Sequence, residues 1–149
     1  MNDVSRADLE ALTGQPIHRL ALYRRALTHR SRLRTAEDRE LQSNERLEFL
    51  GDALIDLIVS EALYERFPKE NEGELTRIRA KLVSGAALAQ YARRMDLGAY
   101  ILMSDNAART EGRNNPNILA DAFEALAGAL YLDLDYDAAA QFVHERALD

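Results

Sequence analysis

The feature that most constrains this chain is the run 44–67, where apolar residues recur at helical spacing and carboxylates interrupt them. Leu47, Leu50, Leu54, Leu57 and Ile58 form an apolar stripe, Asn44 is a good helix N-cap, and Pro68 stops the helix. On that helix Glu45, Glu48 and Asp52 lie three and four residues apart. At 3.6 residues per turn they project into one narrow sector. A second helix, predicted over 117–132, carries Asp121 and Glu124 three apart among Ala120, Phe123 and Leu126.

Packing the two helices together would collect carboxylates in a partly buried place. Unpaired, they would cost several kcal/mol in repulsion and desolvation. A hard divalent cation removes that cost, and oxygen-only ligands suit Mg2+ or Mn2+. Such an ion can polarise a phosphate oxygen and activate a water, as phosphodiester hydrolysis requires. The competing reading is ordinary: among 25 Asp and Glu, pairs at helical spacing are common on solvated faces. Three details favour the cation. No Lys or Arg stands at 49, 51, 55 or 56 to neutralise the first group, although Arg46 is adjacent in sequence. Gly51 sits in mid-helix, at a cost of about 1 kcal/mol against Ala unless something must approach closely. The second helix is rich in small residues, Ala120, Ala122, Ala125, Ala127, Gly128 and Ala129, which admit a close neighbour.

The rest of the chain reads as helix too. Apolar spacing marks 5–12 and 19–28, parted by Thr13-Gly14-Gln15-Pro16. The polar stretch 31–43 reads as a surface loop and 69–73 as a turn. One long helix is predicted over 74–95, stopping near Gly98, then a loop over 104–116 and a short final helix from Tyr136. No strand is evident, so the expected class is all-α in a single multi-helix domain of 149 residues. The absence of Cys excludes disulfides, zinc–thiolate sites and Cys nucleophiles. No signal-peptide layout opens the chain, and the apolar stretch 53–59 is too short to span a bilayer. A cytoplasmic protein without a membrane partner is the default expectation. The net charge of −6 opposes nucleic-acid binding when taken alone. Cations held by clustered carboxylates would reverse the sign locally.

The run Asn44-Glu45-Arg46-Leu47-Glu48-Phe49-Leu50-Gly51-Asp52 resembles the signature segment of the ribonuclease III family. Further segments agree: Ala26-Leu27-Thr28-His29-Arg30-Ser31, Tyr64 with Phe67-Pro68, Glu72-Gly73-Glu74-Leu75, and Ile118-Leu119-Ala120-Asp121-Ala122-Phe123-Glu124-Ala125. The likeness extends from about residue 20 to 145. It implies an all-α endonuclease domain that works as a homodimer and cuts double-stranded RNA with Mg2+, leaving 5′-phosphates and 3′ overhangs in structured precursor RNAs. It also implies metal ligands at Glu48, Asp52, Asp121 and Glu124, with Asp52 and Glu124 at the chemistry and Glu124 nearest the attacking water. Glu45 and Glu72 match two further acidic positions of lesser weight. Phe49 matches a residue that inserts into the partner subunit; a Phe beside three carboxylates would otherwise read as core. Two antiparallel strands and a two-fold dimer suit each other. His29 receives no chemical role from the resemblance; a helix-end cap or a buried hydrogen-bonding group is expected.

Two departures stand out. The loop 109–117 lacks the second Gly and the Ser near 117 that the family pattern tends to carry. The chain also ends at Leu148-Asp149, where the family usually continues into a double-stranded-RNA-binding domain. The expectation is an endonuclease domain over 1–149 without that module. Arg77, Arg79, Lys81, Arg93, Arg94, Arg109 and Arg113 are candidate phosphate contacts; alternatively they are solvated cations balancing the acids. A nucleoside-triphosphate pyrophosphatase with helical Glu-x-x-Glu pairs and a non-cutting RNA scaffold are the competing functions.

Overall fold

The computed structural model describes residues 4–149. Its helices are α1 (Arg6–Thr13), α2 (Leu20–Ala26), α3 (Ala36–Leu41), α4 (Glu45–Arg66), α5 (Glu72–Leu82), α6 (Gly85–Arg94), α7 (Asp105–Thr110), α8 (Pro116–Asp133) and α9 (Tyr136–Val143). No strand occurs among the described residues; Thr28 and Leu102 form an isolated bridge. The all-α class is what the structure has. Among the described residues no helix is long and apolar enough to cross a membrane.

The centre of the fold is α8, whose residues are buried from Ile118 to Leu130 except at Asp121. Asn115 starts it by accepting from the amides of Asn117 and Ile118, and Pro116 occupies the first helical position, where no N–H is needed. Against α8 pack α4, α6, α9 and α2. Phe123 stacks on Phe142 of α9 at 5.3 Å between ring centres and meets Tyr91 of α6 at 5.7 Å. At the far end Asp133 accepts from the His18 and Arg19 amides and from the Tyr23 hydroxyl, tying α8 to the start of α2.

Two glycines let α4 and α8 come together. A Cβ on Gly51 would fall 1.8 Å from the Glu124 carbonyl oxygen, and one on Gly128 would fall 2.8 Å from the Leu47 carbonyl oxygen. Four residues back along α4 correspond to four residues forward along α8, so the helices run antiparallel. The expectation that Gly51 serves a close approach is met, and the atom it admits is the backbone of a site residue.

Elsewhere the structure corrects the sequence reading in three places. The predicted 74–95 helix is two helices, α5 and α6, because Val83 leaves the helix and Ser84 caps a new start, accepting from the Ala87 amide at 3.1 Å. The predicted loop 31–43 holds α3, begun by Thr35 accepting from the Asp38 amide. The predicted loop 104–116 holds α7, begun by Ser104 accepting from the Ala107 amide. At α4 Asn44 takes the cap position without a side-chain bond; the Ser43 hydroxyl accepts from the Glu45 amide instead, and the Asn44 amide donates to Thr28.

Gly51→Ala should therefore force α4 off α8. We expect a loss of about 3 kcal/mol, which lowers the melting temperature by roughly 10 °C. Melting within about 2 °C of wild type would contradict the close approach.

Candidate metal centre

Glu48 and Asp52 point from α4 towards Asp121 and Glu124 on α8. Glu48, Asp121 and Glu124 each present a carboxylate oxygen within 4.8 Å of the others. Asp52 joins through a hydrogen bond with Glu124 and is itself exposed. Glu124 is the deepest, 7% exposed, in the part of α8 whose backbone lies on Gly51. Three of the four residues expected as ligands thus lie together and Asp52 adjoins them through Glu124, at the helix spacing that the two glycines allow.

The electrostatics show the cost of the arrangement. Burial pushes the Glu124 carboxyl up to about 9, helped by its hydrogen bond to Asp52 and the charges of Asp52, Glu48 and Asp121. Glu48 rises to about 7, chiefly through burial and then through Asp121, Glu45 and Asp52. Asp121 is raised by burial and the charge of Glu45, and lowered by the hydrogen bond it shares with Glu48. Glu48 lies against Asp121 and Glu124 against Asp52, so each raised carboxyl has an acidic neighbour and no cation beside it to lower it. The donors are oxygens only. That set, already short of counter-charge, fits a hard divalent cation.

The two accessory acids part company. Glu45 adjoins the cluster and pairs with Arg30, Nη1 to Oε1 3.1 Å. Glu72 does not join it in the single chain; it lines a groove with Tyr64, Ser60 and Arg79 and accepts from the Thr76 hydroxyl. Tyr64 lies three turns beyond Asp52, about 18 Å along the helix axis. The sequence reading missed Asp56, one turn beyond Asp52, whose carboxyl is raised by burial and by Asp52 and lowered by Arg79. The 48–52–56 spacing would have revealed it. It also gave no role to Arg30, which it named only within the resembling segment 26–31.

Phe49 projects from the same helix and is 82% exposed, with Leu57 and Tyr64 exposed further along. It does not belong to the core of the chain. His29 accepts from the Ser31 amide through Nδ1 and caps the turn Arg30–Arg32, the hydrogen-bonding task expected of it. Burial lowers its basicity, with Glu111 opposing. Of the candidate phosphate contacts, Arg113 is committed to the Gly98 and Ile101 carbonyls, Arg93 to the Asn114 carbonyl, Arg79 to Ser60, and Arg77 to Glu74. Arg113 anchors the divergent loop to the turn Leu97–Tyr100, a structural task.

A family model described as ribonuclease-III-like matches residues 20–149. The chain belongs to that family. It is 49% identical over 131 residues to the ribonuclease 3 of Chlorobium luteolum, covering 87% of this chain and 48% of that protein. With the ribonuclease 3 of Chlorobaculum tepidum the identity is 45% over 137 residues, covering 91% and 50%. The chain spans about half the length of these curated relatives. Among solved structures, a nuclease domain of ribonuclease III from Campylobacter jejuni aligns with a TM-score of 0.85 at 36% identity, over 95% of this chain and 98% of that one. It is described by the flexibility of a region involved in dimer formation. Giardia Dicer aligns with a TM-score of 0.70 over 97% of this chain and 20% of its own, at 22% identity, and shares the fold.

A pH dependence follows. Unfolded, Glu titrates near about 4.3. Folded, Glu124 and Glu48 keep protons to higher pH, so the native state binds more protons and stability drains away as pH rises from about 5 to 9. The slope is at most about 1.4 kcal/mol per pH unit for each proton retained. Without divalent ions, Glu124→Gln should melt increasingly above wild type across that window. An equal gap at pH 5 and pH 9 would contradict the assignment.

Proposed function

We propose that this chain is the catalytic domain of a Mg2+-dependent endoribonuclease that hydrolyses phosphodiester bonds in double-stranded RNA and acts as a homodimer. The observation that carries the reading is the meeting of Glu48, Asp52, Asp121 and Glu124 in a family of ribonucleases. We assign these four as ligands of Mg2+, for which Mn2+ can substitute. Bound there, the ion supplies counter-charge to the scissile phosphate and lowers the cost of forming a hydroxide nucleophile.

The residues of the chain supply position. Asp52 and Glu124 stand at the chemistry, and Glu124, held by the α4–α8 contact, orients the attacking water. Glu45, tied to Arg30, and Glu72 act at the margin of the valley. A two-fold dimer sets two such sites against two antiparallel strands, so that cuts offset between them leave 5′-phosphates and 3′ overhangs. Phe49 suits the interface: an aromatic side chain 82% exposed on the helix of the site has no use inside its own chain. The Cys-free sequence suits a cytoplasmic setting, and the family likeness supports structured precursor RNAs as the substrates.

Cleavage of a generic RNA duplex at low salt, with and without Mg2+, tests the reading. Glu124→Gln and Asp52→Asn should each lower the rate about a hundredfold or more while the fold and dimer persist. Retained cleavage by Glu124→Gln, or activity on nucleoside triphosphates alone, would reject it. Separately, Phe49→Ala should shift the protein towards monomer in sedimentation or light scattering at micromolar concentration. An unchanged dimer would remove Phe49 from the interface.

A further inference from the structure

Beside the carboxylate cluster lies a second cavity with different chemistry. It is open, about 400 Å³, and gathers residues distant in sequence: His29, Arg30 and Ser31, Arg39 of α3, and Ser104 to Glu111 around α7. Most of its lining residues carry polar or charged groups, set among their own apolar stems and Ala107. Arg39 binds the Leu33 carbonyl through Nε, and among the described residues no carboxylate forms an ion pair with it. Arg30 lines the cavity and also donates to Glu45, so one ion pair separates this cavity from the metal centre. Asn106 and Thr110 add an amide and a hydroxyl on the α7 side. One carboxylate is present, that of half-exposed Glu111, 3.8 Å from His29 Nε2.

The cavity is built and held open. The His29 Nδ1–Ser31 hydroxyl contact of 2.7 Å and the Ser104 amide bond to that hydroxyl of 3.0 Å join the two walls. The backbone bonds of His29 to Leu102 and of Asn44 to Thr28 fix the same wall to the start of α4. The pocket therefore keeps a set position relative to Glu45 and Glu48. A guanidinium that forms no ion pair among the described residues, the side-chain amide of Asn106, and a single acceptor carboxylate match a ligand with one anionic group and one hydroxyl close together, while the Thr110 hydroxyl donates to the Asn106 carbonyl and offers only its lone pairs. A ribose phosphate has both, and duplex RNA is recognised through its phosphates and 2′-hydroxyls.

We infer that this cavity, lined by Arg30, Arg39, Asn106, Thr110 and Glu111, binds a ribose phosphate of the RNA backbone flanking the bond that is cut. Arg39 meets the phosphate and Glu111 accepts from the 2′-hydroxyl. The inference rests on the nuclease reading and adds the contact that places the strand. Arg39 and Glu111 are positioning residues here.

Steady-state cleavage of duplex RNA across a KCl series tests it. Arg39→Ala should raise KM several-fold with kcat little changed, and flatten the dependence of log kcat/KM on log salt by about one ion. Arg39→Lys should keep the wild-type slope. Asn106→Asp, which adds a charge on an exposed side chain and leaves the Asn106 carbonyl bonded to Thr110, should raise KM as well. Glu111→Ala should narrow the preference for duplex RNA over an RNA–DNA hybrid. An Arg39→Ala enzyme with the wild-type KM and salt slope, or one with lowered kcat at an unchanged slope, would overturn the phosphate contact. An unchanged RNA preference in Glu111→Ala would overturn the ribose contact. If wild type cuts no duplex RNA, the nuclease reading fails first and takes this one with it; if wild type cuts and the variants match it, the pocket alone is rejected.

Discussion

The structure depends on one contact, the passage of the Glu124 backbone across Gly51. Any side chain at position 51 would occupy the space of that carbonyl. The reciprocal seat of Leu47 against Gly128 repeats the device one turn away and fixes the register. Four carboxylates meet because two main chains do. The favourable terms lie in the apolar faces of α4 and α8 and in the rings of Tyr91, Phe123 and Phe142. They offset an acidic cluster that opposes folding unless it keeps its protons or gains a cation.

Function follows from that opposition. A site whose members hold protons near neutral pH has stored a preference for positive charge. Burial sets the preference and the neighbouring acids enlarge it. The overall charge of −6 therefore does not exclude a polyanionic substrate, because the acidity is concentrated where an ion would offset it. The cations of the chain are committed unevenly. Arg113, Arg93 and Arg79 hold the protein's own backbone and hydroxyls; Arg30 and Arg39 line the adjoining cavity, Arg30 paired with Glu45 and Arg39 bonded to the Leu33 carbonyl through Nε alone.

What could be read from the sequence divides along physical lines. The long helices α4 and α8 and the four central carboxylates were legible, because 3.6-residue spacing converts directly into a shared face. Gly51 was legible as an anomaly: a helix tolerates a mid-turn glycine only for a reason. The break at Ser84 was not, since the apolar spacing runs on across it and only the capping bond reveals the new start. The short helices α3 and α7 have little apolar face; their caps, Thr35 and Ser104, make them. The cavity around Arg39 was beyond sequence reading altogether, because three segments meet there through main-chain bonds that no local pattern encodes. The same limit applies to Glu72, whose place beside Tyr64 depends on the turn between α4 and α5.

The most direct measurement is calorimetric titration of the wild-type protein with Mg2+ or Mn2+ at pH 7 in buffers of differing ionisation enthalpy, which counts protons displaced as the ion binds. Because Glu124 and Glu48 retain protons in the metal-free state, binding should release about one proton or more per ion, and Glu124→Gln should abolish most of that release. Binding without proton release, or no binding at millimolar concentrations, would contradict the claim that these helices assemble a cation site.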